Sequence, residues 1–136
     1  MILLPPEVRL ALRANDINRR AAVRDDKPEP DPVPVLKLFN PLGAATWLAT
    51  ELGEDGDTLF GLADLGFGCP ELGYFSLTEI CSLRLAFGLH IERQPGIETP
   101  YPLSKWAEAA RRAGSILSAE PLLRSIAADE LPPEGG

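Results

Sequence analysis

Two cysteines, one histidine and one methionine are all that the 136 residues contain of these types, and each scarcity closes off a class of structure. Cys69 and Cys81 are too few for a disulfide framework, and their spacing lacks the CxxC hook of a zinc site. They are expected to be free thiols used in packing. With His90 the single histidine, a histidine-rich metal centre is excluded. Long apolar runs are missing too: Gly, Pro or charge interrupts every stretch well short of the roughly 20 residues needed to span a bilayer. The start, Met1-Ile2-Leu3-Leu4-Pro5-Pro6-Glu7, has neither the basic segment nor the small-residue cleavage site of an export signal. A cytoplasmic location without a membrane role is therefore expected.

Basic residues are also short. Thirteen Lys and Arg face twenty Asp and Glu, a formal charge of -7. Phosphate binding needs clustered cations, so direct nucleic-acid binding is not expected, and another protein or a basic surface fits better as partner. The same charge also serves simply to keep a small domain soluble. What is present in quantity is apolar content, 45% of the chain, enough for one core in one domain over residues 1–131, with 132–136 a mobile tail.

The pattern along the chain predicts an α+β fold. Proline at residues 5 and 6 suits a first helical turn, and Leu3, Leu10, Ala14, Ile17 and Ala21 recur on one stripe, so a helix is read over residues 6–22. Four prolines between residues 24 and 34 make a connector. Strands follow at 35–39, 45–52 and 58–65, with a short fourth at 71–75. Their short connections force antiparallel neighbours, giving a three- or four-stranded meander with helices packed on one face. Ser76-Leu77-Thr78-Glu79 has capping-box spacing and starts a second helix expected to stop near Gly88. A short edge strand is possible at 90–93. Ser104 is expected to cap a third helix with Leu103, Trp106, Ala107, Ala110, Gly114 and Leu117 on one face, and a fourth helix is read over 119–128 with Pro121 in its first turn.

Four segments carry a resemblance. Val35-Leu36-Lys37-Leu38-Phe39, Ala45-Thr46-Trp47-Leu48-Ala49-Thr50-Glu51, Phe60 through Gly68, and Pro70-Glu71-Leu72-Gly73-Tyr74-Phe75-Ser76-Leu77-Thr78-Glu79 resemble, in order and spacing, the bacterial family filed as domain of unknown function 2958. The resemblance implies a home on plasmids and integrative elements, among genes for anti-restriction and DNA maintenance. It brings no activity, cofactor or site residue. Ala49 and Ala63 stand where larger or thiol side chains are expected in relatives, and the segment after Gly114 is unmatched.

No catalytic motif stands out. Gly66-Phe67-Gly68 lacks the further glycine and Lys-Ser/Thr pair of a phosphate loop, Asp64-Leu65-Gly66 lacks the accompanying kinase segments, and no G-x-S-x-G elbow is present. The acidic turn at residues 51–57 lacks calcium-loop spacing. The candidate chemical site is the carboxylate set Glu51, Asp64 and Glu71, each near a strand end, able to hold a hard divalent cation or supply a general base if it converges. The alternative is that these are solvated or turn-binding charges. Arg84, in the middle of the apolar stripe of the second helix, either pairs with Asp64 or Glu71 or lays its stem over the core with its charge in water. Trp47, Phe67 and Tyr74 are candidate interaction aromatics, to be counted as a partner site if they prove exposed together. The reading is a non-enzymatic accessory protein of a mobile element that binds another protein, one of host defence being a candidate. A metal-dependent enzyme using the carboxylates, or an acidic mimic of DNA, is the alternative.

Overall fold

The computed structural model describes residues 4–130, with side chains through 126; the tail expected at 132–136 lies outside the described residues. Helix α1 is Pro6–Arg24, followed by strands β1 Leu36–Phe39, β2 Thr46–Leu52, β3 Thr58–Asp64 and β4 Glu71–Ser76. Helix α2 is Leu77–Ser82, strand β5 Glu92–Arg93, helix α3 Leu103–Ala113 and helix α4 Ile116–Glu130. The strands form one antiparallel sheet in the order β4-β3-β2-β1-β5. The α+β class and the antiparallel meander are as read from the sequence; the residues 90–93 segment adds a fifth strand at the β1 edge.

The expectation of helices on one face is corrected: both faces are covered. On one side Leu36, Leu38, Trp47, Ala49, Leu52 and Leu59 pack with Leu12 of α1 and with Leu77 and Ile80 of α2. On the other, Leu48 and Leu62 pack with Leu103, Trp106, Ala107, Ala110, Ile116, Ala119 and Leu123 of the α3/α4 pair. The cause is visible in β2, where all seven residues are buried rather than every second one. A strand buried on both faces has to be sandwiched between layers.

Helix α1 also departs from expectation. Its buried positions are Leu12 and Asp16, whereas Leu10, Ala14 and Ile17 of the apolar stripe face solvent. Besides Leu12 in the core, the helix is held by polar contacts at a sheet edge: β1 covers β2 only over Thr46–Ala49, and beyond it the carbonyls of Thr50 and Leu52 accept hydrogen bonds from Asn15 (2.9 Å) and Arg13 (2.6 Å). Side chains of α1 thus replace the missing strand and satisfy backbone groups that burial would otherwise penalise.

Helix α2 starts as the capping box requires, with Ser76 Oγ accepting from the Glu79 N–H at 3.1 Å, and Asp57 adds further bonds to Ser76 and Thr78. It stops at Ser82 rather than near Gly88, because the chain becomes extended at Leu83 and so tucks Leu85 and Ile91 against the core. Helix α3 is capped from a distance. Asp31 of the proline-rich connector accepts from the Ser104 N–H and hydroxyl, so Ser104 is the recipient of the cap rather than its source. Gly114, at φ 86°, ends α3, and Leu117 belongs to α4, half exposed. Helix α4 begins at Ile116, which moves Pro121 into its second turn. Among the described residues, no helix is long and apolar enough to cross a membrane.

Candidate functional site

The three carboxylates singled out from the sequence occupy separate sites. Glu51 is buried and lies opposite Phe60 near one end of the β2–β3 ladder, where Arg19 Nε binds both of its oxygens at 2.9 and 3.1 Å. Asp64 lies at the other end of β3, opposite Thr46. Glu71 pairs with Ala63, the neighbour of Asp64, so pleating sends its side chain to the opposite face, where it is exposed. Among the described residues no group of three His, Cys, Asp or Glu side chains is placed to hold a metal ion.

Asp64 has a structural task. Fully buried, it accepts from the Gly66 N–H through Oδ1 and from the Ile116 N–H through Oδ2, both at 2.9 Å. One carboxylate thereby fixes the turn after β3 and the first turn of α4, where a helix N-terminus favours negative charge. Asp64→Ala would leave both N–H groups without acceptors, and a loss of about 2–4 kcal/mol in chemical denaturation is expected. A loss under about 1 kcal/mol would show that water replaces the carboxylate.

Arg84 lies beyond the end of α2, exposed, and forms no ion pair among the described residues. The buried arginine–carboxylate cluster is on α1 instead. Asp16 accepts from Arg13 at 2.7 Å, from Arg20 at 3.1 Å and from Arg19 at 3.4 Å, while Arg19 bridges onward to Glu51. Burial pushes the Asp16 carboxyl up, but the hydrogen bonds and charges of Arg13 and Arg20 outweigh it and hold it below the ordinary value. The bond to Glu51 raises Arg19, against the opposing effect of burial.

At the hairpin between β2 and β3, the Thr58 hydroxyl and the N–H groups of Thr58 and Asp57 lower Asp55 to about 2. Asp57 is lowered by the Thr78 and Ser76 hydroxyls and the Thr78 N–H. All three aspartates bind protons less readily folded than unfolded. Their contribution is complete above the ordinary carboxylate value and is lost as pH falls through the folded values. A melting series should therefore be flat near neutrality and decline between pH ~4 and ~2; an unchanged melting temperature at pH ~3 would contradict the assignment.

Of the candidate aromatics, Trp47 is a core residue, while Phe67 is 83% and Tyr74 66% exposed. Phe67 lies in the loop that precedes β4, and Tyr74 on β4 itself. The loop at 65–70 turns on Gly66 and Gly68, at φ 90° and 82°, and carries Leu65 and Phe67 into solvent. It leads directly into β4, the terminal strand of the sheet. Leu72 and Tyr74 alternate along β4 opposite Leu62 and Phe60, on the face that α3 and α4 cover farther in; here both are exposed. Tyr74 leans on Phe60 with ring centroids 5.0 Å apart, which holds the phenol in place without burying it.

The outer edge of β4 has no backbone partner among the described residues. Exposed edges are ordinarily blunted by Lys, Pro or a bulge. Between Glu71 and Ser76 there is neither Lys nor Pro, and the β3–β4 register runs without a shift. Moreover, every charged residue from 38 to 83 is acidic: Glu51, Glu54, Asp55, Asp57, Asp64, Glu71 and Glu79.

The family model described as "Protein of unknown function (DUF2958)" matches residues 3–117. No curated protein and no solved structure matches the chain.

Proposed function

We propose that this chain, which belongs to the DUF2958 family of proteins of unknown function, is a non-enzymatic accessory protein of a mobile element that works in the cytoplasm by binding another protein. The observation that supports the reading is the unblunted edge of β4, flanked by exposed Phe67, Leu72 and Tyr74. An extended segment of the partner would add a strand beside β4, with main-chain hydrogen bonds giving affinity and alternate side chains meeting Leu72 and Tyr74 giving specificity.

The test is capture of the tagged chain from the cells that encode it, in parallel with a Leu72→Lys/Tyr74→Lys variant. Both positions are exposed, so the variant should melt within a few degrees of the parent, and lysine on an edge strand disfavours strand addition. A protein recovered in stoichiometric yield with the parent and lost with the variant is the expected outcome. The same protein recovered equally with both would overturn the assignment of β4.

A further inference from the structure

The exposed stripe of α1 has a shape that names its own occupant. Leu10, Ala14, Ile17 and Ala21 follow one another at spacings of four, three and four residues, the seam of a coiled coil. They lie on the side of the helix away from buried Leu12, with Leu10 69% and Ile17 54% exposed, Ala14 exposed and Ala21 half-buried. Large and small residues alternate along the seam. When a second α1 is laid antiparallel across it, with the two-fold axis between Ala14 and Ile17, Leu10 meets Ala21 of the copy and Ala14 meets Ile17. Each large side chain then faces a small one, the condition for close helix approach.

The charges agree with the same register. It sets Glu7 at the start of one helix against Arg24 at the end of the other, twice by symmetry, while Arg13 and Arg20, together on one flank of the seam, are each bound to Asp16 of their own helix. Glu7 is exposed, and the Arg24 side chain is 75% exposed with the adjacent Asp25 its one partner among the described residues. A surface ion pair of that kind is weak and exchangeable. A parallel pairing would place Glu7 beside Glu7 and Arg24 beside Arg24. We infer that α1 is the self-association surface of this protein, docking a second copy of the chain as an antiparallel, two-fold symmetric helix pair through Leu10, Ala14, Ile17 and Ala21. Such an isologous contact closes on itself and leaves the β4 edges of both copies free.

Sedimentation velocity of the full chain over a wide concentration range tests this. The parent is expected to pass from monomer to dimer in the micromolar range, and Ile17→Lys, at an exposed position, to stay monomeric with an unchanged melting curve. Should that variant melt differently, Leu10→Ser reads the same contact. Glu7→Arg and Arg24→Glu alone should each weaken the dimer about tenfold, since two attractions become two repulsions, and combining them should restore it. A parent that is monomeric throughout, a dimer that survives Ile17→Lys, or a double reversal no better than either single one would overturn the proposal.

Discussion

Asp16→Ala is expected to cost about 3 kcal/mol in an equilibrium urea titration. The side chain of Asp16 is 4% exposed and accepts from three guanidinium groups, two of which, on Arg13 and Arg19, are themselves three-quarters covered. Removing the acid leaves charges that cannot shed their protons in a site water reaches poorly. Breaking a buried pair costs roughly 3–5 kcal/mol, and the lower end applies here for two reasons. Arg20, with its side chain 63% exposed, can turn into solvent, and Arg13 and Arg19 keep the Leu52 carbonyl and Glu51 as partners. A loss under about 1 kcal/mol would mean that the network is solvated and that α1 is held by apolar contacts instead.

Gly61→Ala should be at least as damaging, for a steric reason. Gly61 lies opposite Ala49 in the β2–β3 ladder, next to the register shift between Ala49 and Glu51. A Cβ there would stand 1.8 Å from the Leu48 carbonyl oxygen and 2.8 Å from the Ala49 Cα. Both obstacles are backbone, so no side chain can swing aside and the two central strands would have to part. Overpacking in a core costs about 1–3 kcal/mol when side chains can adjust, and a backbone obstacle places this change at or beyond the upper end. Gly73, paired with Gly61 across β3 and β4, is the control: nothing lies within 4 Å of its added Cβ, and Gly73→Ala should change stability by less than about 1 kcal/mol. Equal losses at both positions would refute the steric account.

The two glycines look alike in the sequence, and their difference shows where sequence reading stops. Period and turn chemistry are local, so the strands, the capping box at Ser76 and the antiparallel order were legible. What lies across the sheet was less so, although β2 held a signal: Trp47-Leu48-Ala49 runs apolar without alternation, the mark of a strand covered on both faces. Helix α1 inverted the usual rule. Its apolar stripe was legible, but the buried side was chosen by Asp16 and by the open Thr50 and Leu52 carbonyls, which no periodicity reports. The spacing of Arg13, Asp16, Arg19 and Arg20 by three and four residues was there to be read as an ion-pair ladder. Asp31 and Asp64 cap helices 73 and 52 residues away in sequence, bonds set by topology alone. For the candidate site, Phe67 and Tyr74 were legible as aromatics, but only the strand order shows that they flank a free edge while Trp47 is sealed inside.

Strand addition at β4 is tested most directly by photo-crosslinking. A benzophenone side chain installed at Tyr74, at Phe67, or at exposed Glu108 on α3 reports which surface touches the partner in the cells that encode the chain. Adducts to one protein from positions 74 and 67, with none from 108, are the predicted result. Adducts from 108 alone, or equally from all three, would contradict it.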